Sequence, residues 1–172
     1  RFLLYTRVDP KTSLDLWVLP LAGDRQPALF LQTPFIETFG RFSPDGRWIA
    51  YSSNDQGRIE VYVQTFSGPS GKWRISTEGG REPSWRADGK ELYYVGPARQ
   101  IYAVKVEAAA TSKLSLPVKL FDAQGMVTEL ATRNRYVPAR DGQKFLILAR
   151  QGVAKLGSTT VVLDWLSEHG KR

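Results

Sequence analysis

The chain has 172 residues, 42% hydrophobic, 24% charged and 12% aromatic, a composition that suits a folded domain with a real core and excludes a disordered tail. It has no cysteine, so disulfide frameworks and thiolate metal sites are excluded. The formal net charge of +7 raises nucleic acid as a partner, but the basic residues are scattered over turns and strand ends, densest at Arg133, Arg135, Arg140 and Lys171-Arg172, so a solvated basic surface is the better reading.

In chain order, Phe2 to Thr6 reads as a strand, with no basic-then-apolar leader before it, and Asp15-Leu16-Trp17-Val18-Leu19 lies in a second strand. Further short apolar or alternating segments, rich in Val, Ile, Tyr, Phe and Trp, fall near 28–32, 37–43, 47–52, 59–66, 73–77, 81–86 and 90–95. The series continues near 100–106, 117–121, 134–138, 143–149 and 159–165. Polar, Gly or Pro loops separate them. Glu107-Ala108-Ala109-Ala110 has helix propensity but is too short to stand alone, and reads as loop. No run approaches the roughly 18–20 apolar residues of a membrane helix.

An Asp-Gly turn recurs in one context: Phe42-Ser43-Pro44-Asp45-Gly46-Arg47-Trp48, Trp85-Arg86-Ala87-Asp88-Gly89-Lys90-Glu91, and Ala139-Arg140-Asp141-Gly142-Gln143-Lys144-Phe145. Each precedes an apolar strand, and glycine reaches the positive φ of a tight hairpin without a Cβ penalty. The spacing is about 43 residues from Asp45 to Asp88 and about 53 from Asp88 to Asp141, the longer interval carrying an insertion. A period near 43 with up to four short strands per unit predicts an all-β fold, a β-propeller of four-stranded antiparallel blades. The units run approximately 1–36, 37–80, 81–133 and 134–172 of one partial propeller domain. The first lacks its innermost strand and the last its outermost, which leaves about three and a half to four blades, a half-propeller. Open terminal blades would leave unpaired strand edges, so either the chain forms a homodimer closing one larger ring, which is the preferred reading, or an N-terminal half is missing, or four blades close tightly.

Catalytic constellations are missing from the sequence. The single histidine, His169, lies four residues from the end and reads as a tail residue; no Gly-x-Ser-x-Gly elbow occurs, and Gly68-Pro69-Ser70-Gly71 reads as a turn. Asn54-Asp55-Gln56-Gly57 lacks the acidic run and downstream Glu of a calcium loop and reads as a hairpin turn. Asp45, Asp88 and Asp141 repeat in one position, which points to turn hydrogen bonding, since paired catalytic carboxylates need unlike environments. No enzyme activity, cofactor or metal is therefore expected. Binding is what a propeller offers through its central channel and the loops at one mouth. Glu37, Thr38, Arg81, Glu82, Asn134 and Arg135 begin the three predicted inner strands and are the candidate channel or mouth residues. Trp17, Trp48, Trp85 and Trp165 sit at different points of the repeat, so no shared stacking platform is expected, and Trp48 and Trp85 read as inter-sheet core.

The segment Arg41-Phe42-Ser43-Pro44-Asp45-Gly46-Arg47-Trp48-Ile49-Ala50-Tyr51-Ser52-Ser53 resembles the PD40 repeat of TolB-like (WD40-like) propellers. With Asp15-Leu16-Trp17-Val18-Leu19-Pro20-Leu21, Glu60-Val61-Tyr62-Val63-Gln64, Gly71-Lys72-Trp73-Arg74-Ile75-Ser76 and Thr160-Val161-Val162-Leu163-Asp164-Trp165, the chain is similar to the C-terminal propeller region of bacterial eukaryotic-like serine/threonine protein kinases. That resemblance covers nearly the whole chain. It implies an extracytoplasmic sensor or scaffold that binds a protein or small molecule. The kinase loop, lysine strand, His-Arg-Asp and Asp-Phe-Gly motifs do not occur, so kinase activity is not implied. Ala87 and the Ala139-Arg140 pair depart from the Ser-Pro-Asp-Gly pattern, and Phe39 stands where related chains tend to carry a polar residue. Two alternatives stay open: an assembly unit that dimerises into a full ring, and a propeller associated with a prolyl-oligopeptidase-type hydrolase.

Overall fold

A computed structural model describes residues 1–68, 70–106, 115–127 and 134–149, and the backbone of 160–162. The chain divides into two compact units, Arg1–Pro83 and Ser84–Arg172.

In the first unit, β1 (Phe2–Asp9), β2 (Ser13–Pro20) and β3 (Ala28–Leu31) form one antiparallel sheet in the order β1-β2-β3. The second sheet is β4 (Glu37–Phe42), β5 (Trp48–Ser53), β6 (Glu60–Thr65) and β7 (Lys72–Arg74), also in chain order. Simple up-and-down order follows from short turns, because a hairpin can join antiparallel neighbours in two to five residues. The sheets are joined by a core of Leu16, Ile49, Tyr51 and Tyr62 with Leu4, Phe30, Leu31, Phe42 and Phe66 packed against it. Phe66 lies edge-on to Phe2 and Phe42, with ring centroids 5.2 and 4.9 Å apart. Gly40 marks the closest approach: a Cβ there would stand 2.8 Å from Leu4 Cδ2 and 3.1 Å from Leu16 Cδ2.

The second unit's four-stranded sheet has the order β11-β10-β9-β8, from β8 (Arg81–Trp85, which spans the division), β9 (Glu91–Val95), β10 (Gln100–Lys105) and β11 (Val118–Asp122). A single 3₁₀ turn at Pro97–Arg99, with Ala98 and Arg99 at positive φ, links β9 to β10. A further sheet runs β12 (Tyr136–Pro138), β13 (Phe145–Ile147), β14 (Thr160–Val162). Phe145, fully buried, gathers Tyr93, Phe121 and Tyr136 at centroid distances of 5.1, 5.2 and 6.3 Å. Ile101, Ala103, Ala123, Met126 and Ile147 complete that core.

Four antiparallel sheets with no α-helix among the described residues make the all-β propeller architecture the sequence predicts. On the blade alignment, β1 to β3 are the second to fourth strands of a blade and β12 to β14 the first to third, so each terminal sheet has three strands among the described residues. Several boundaries shift by a few residues, among them 73–77, which is Lys72–Arg74, and 143–149, which is Phe145–Ile147; the predicted strand at 134–138 begins at Tyr136, which places Asn134 and Arg135 in the approach to it. Residues 107–110, Arg133, Trp165, His169 and Lys171-Arg172 lie outside the described residues.

Candidate functional site

The Asp-Gly turns are built as hydrogen-bonded units. Asp45 Oδ1 accepts from Ser43 Oγ at 2.6 Å and from the Arg47 amide at 3.1 Å, while Ser43 Oγ accepts from the Trp48 amide at 3.0 Å. Asp88 accepts from the Lys90 amide at 3.0 Å and takes both arms of Arg86 at 2.7 and 2.8 Å; Asp141 accepts from the Gln143 amide at 2.9 Å. The Arg86 fork holds the Asp88 carboxyl down to about 2. These aspartates close turns, with Gly46, Gly89 and Gly142 at φ of 71°, 73° and 75°.

The candidate channel residues prove to be largely buried. Glu37 (1% exposed) and Thr38 open β4, and Arg81 and Glu82 (1%) open β8, so these four fall in the first unit. Asn134 and Arg135 lead into β12 in the second. Arg81 and Asn134 are partly exposed, whereas Arg135 is buried and donates from Nη1 to the Val127 carbonyl at 3.0 Å. The Glu82 amide donates to Ser52 Oγ at 3.2 Å.

Two of the inner strands, β4 and β8, carry one irregular position each. Phe39, Glu82 and Arg135 each precede their turn aspartate by six residues. Phe39 and Glu82 adopt φ of 56° and 57°, a left-handed conformation rare for such side chains. The β4–β5 register slips between Thr38 and Arg41 to accommodate it. Neither is glycine, so the sequence carried no sign of this bulge.

Sequence reasoning missed two further buried acids, Asp15 and Glu60, both 0% exposed. They are repeat-equivalent: each stands two residues before the aromatic of its third strand, Trp17 or Tyr62, as Gln100 stands before Tyr102. That pattern was the available signal. The aromatics pair across to Tyr5, Tyr51 and Tyr94 in register, and the last two pairs stack at 5.7 and 5.3 Å.

Glu60 is fully partnered. Arg58 Nε donates to Oε1 at 2.7 Å, the Gly79 amide reaches both oxygens at 3.1 Å, and Ser76 Oγ donates to Oε2. Asp15 Oδ2 accepts from Thr12 Oγ1 at 2.8 Å and Gln32 Nε2 at 2.7 Å. Glu37 Oε1 accepts from Thr33 Oγ1 at 2.5 Å and Ser53 Oγ at 3.3 Å. Burial pushes the Glu37 carboxyl above the ordinary glutamate range, against the Thr33 and Ser53 hydrogen bonds; the Asp15 charge adds to the rise and Lys72 opposes it.

The Asn54-Asp55 segment is a turn, with Gly57 N–H donating to the Asn54 carbonyl at 3.0 Å. The Asp55 carboxylate is taken by Tyr62 Oη and, at 2.6 Å, by Lys72 Nζ. Trp48 meets Trp73 edge-on at 5.3 Å, while Trp17 lies under the Arg7 guanidinium at 4.9 Å. Among the described residues no group of three or more His, Asp or Glu side chains is placed to hold a metal ion, and no helix is long and apolar enough to cross a membrane.

No family model matches the chain, and no curated protein does. Solved structures do. The chain is similar to TolB from Acinetobacter baumannii at 22% identity and a TM-score of 0.64, over 93% of this chain and 37% of that one. It is similar to a protein provisionally assigned as TolB from Agrobacterium tumefaciens at 18% identity and a TM-score of 0.61, over 85% of this chain and 49% of that one. A third similarity, to a protein provisionally assigned as a 6-phosphogluconolactonase from Bacteroides uniformis, has 16% identity and a TM-score of 0.52 over 87% of this chain and 48% of that one. The chain thus spans less than half the length of each. The fold of this chain is that of a TolB-like β-propeller.

Proposed function

We propose that the chain is a non-catalytic binding module, part of a propeller that recognises a protein or small molecule. One observation supports this above the others: the blades keep their turns and aromatic pairs but differ at one inner-strand position, where Phe39, Glu82 and Arg135 are equivalent. A scaffold that repeats its structural residues and varies its innermost ones is arranged for recognition. The blade divisions at 36, 80 and 133 and the roles of Glu37, Thr38, Arg81, Glu82, Asn134 and Arg135 as site residues belong to this proposal. So does an extracytoplasmic place as the sensor region of a receptor-like kinase, which the resemblance carried by the Arg41–Ser53 repeat together with the stretches 15–21, 60–64, 71–76 and 160–165 supports. The test is site-specific photocrosslinking from position 81 in an envelope extract. A discrete adduct from position 81 that the exposed position Lys11 does not give supports recognition through the inner strands; equal adducts from both positions overturn it.

A second reading, a half-propeller that closes into a ring with a copy of itself, is favoured by the first sheet. Among the described residues β1 pairs only with β2, and Phe2, Leu3 and Val8 on it are 48%, 50% and 73% exposed. An apolar strand with one free edge is an aggregation hazard unless covered. Light scattering over a concentration series tests this: a stable dimer supports ring closure, and a non-aggregating monomer rules it out.

A further inference from the structure

The two equivalent buried acids of the first unit are neutralised differently. Glu60, at the start of β6, meets the guanidinium of Arg58, two residues earlier, and an amide from Gly79. At the matching place before Asp15 stands Ser13, which carries no charge. At the place matching Gly80, which follows that amide donor, stands a second acid, Glu37. Neighbouring residues hold the two carboxyls: Gln32 donates to Asp15 and Thr33 to Glu37. Each acid is thus anchored through one oxygen only. Asp15 Oδ1 and Glu37 Oε2 are buried and take no hydrogen bond. An ionised carboxylate without a positive partner is among the most expensive groups to bury, and two together cost more.

The charged and titratable groups acting on Glu37 do not relieve it. Asp15 on β2 is a like charge, and Tyr51 on β5 is deeply buried, which pushes its phenol up, and donates its hydroxyl to Gln64. Lys72 on β7 acts from a distance while its ammonium is bonded to Asp55 at 2.6 Å. Thr33 and Ser53 supply neutral hydroxyls to Oε1. Two carboxyls fall short of the six or more oxygens that a hard divalent cation prefers. A proton needs no cavity and supplies Glu37 with the one donor it lacks.

We propose that Glu37, buried with one carboxyl oxygen unpartnered and only neutral hydroxyls on the other, holds a proton in the folded chain, and that its loss at alkaline pH loosens the packing of the first two sheets. Raising a folded-state carboxyl above its unfolded value gives a stabilisation that is present at low pH and fades as pH rises through the folded value.

The test is urea unfolding of the whole chain between about pH 5 and about pH 9, with Glu37→Gln alongside, joined to infrared spectroscopy of the carboxyl C=O stretch. The glutamine keeps the acceptor for Thr33 and Ser53 and carries no charge. The folded-to-unfolded ratio of the wild type should fall at least severalfold relative to Glu37→Gln at the alkaline end, and a protonated-carboxyl band present at neutral pH should vanish in the variant. If Glu37→Gln does not fold, the wild-type band and its disappearance on raising pH decide the matter. Parallel stability profiles with no such band overturn the proposal. So does a calcium-induced rise in the wild-type midpoint that chelator reverses, since a cation would then hold the two carboxyls.

Discussion

Asp88 and Glu37 show how one functional group takes opposite roles in one small fold. Asp88 sits at the surface with Arg86 and the Lys90 amide, and its carboxyl is held at about 2, below the unfolded value. Its contribution is therefore complete above the unfolded pKa and lost as pH falls towards about 2. Asp88→Asn should flatten the acid limb of the stability profile measured by thermal melts, and leave the alkaline limb, where Glu37 acts, unchanged. Glu60 is the strongest test of the buried network. Glu60→Ala removes the acceptor of Ser76 and of the Gly79 amide and strips Arg58 of its partner, so urea unfolding should report a loss of about 2–3 kcal/mol. Arg58 is 57% exposed in its side chain, so Arg58→Ala should lose less, about 1 kcal/mol, with Gly79 and Ser76 still holding the carboxylate. The turn roles of Asp45, Asp88 and Asp141 were legible in the residues, because an aspartate beside glycine bonds its own backbone. The buried roles were not, because Glu60 and Ser76 lie 16 positions apart.

At the scale of the element, hairpins were legible and their irregularities were not. The spacing of Asp-Gly turns predicts β4 with β5, β8 with β9 and β12 with β13, which pair as expected. The bulge at Phe39 and the left-handed backbone at Glu82 gave no compositional sign, since tertiary packing holds them there. Gly40 belongs to the same strand, and its missing Cβ lets β4 approach β1. Gly40→Ala would bring a methyl to 2.8 Å from Leu4 Cδ2, and should destabilise the chain by about 1 kcal/mol or more by urea titration. Because the clash is with the tip of a side chain, Leu4→Ala in the same molecule should recover part of that loss, as a double-mutant cycle would show.

For the whole molecule, the repeat identified the architecture and the similarity to TolB structures agrees with it. Less than half of each matched structure is covered, so how the terminal blades are completed is a question for solution measurement. If a second copy completes them, unfolding should share its transition with dimer dissociation, and the midpoint should rise with protein concentration. Replacing Leu3 and Val8 with lysine should then lower the dimer fraction in sedimentation or light scattering while leaving the monomer folded, because both side chains are at least half exposed in the single chain.

The sequence alone determined the strand repeat, the hairpin turns and the apolar faces, because each of these depends on residues a few positions apart and on period-two burial. Tertiary structure alone decided which acids are buried, which carry a partner and where the inner strands leave ideal geometry. Asp15 meets Gln32 from 17 positions away, and Glu37 meets Ser53 from 16. Such contacts depend on neighbouring strands lying in register, so no short window of sequence can contain them.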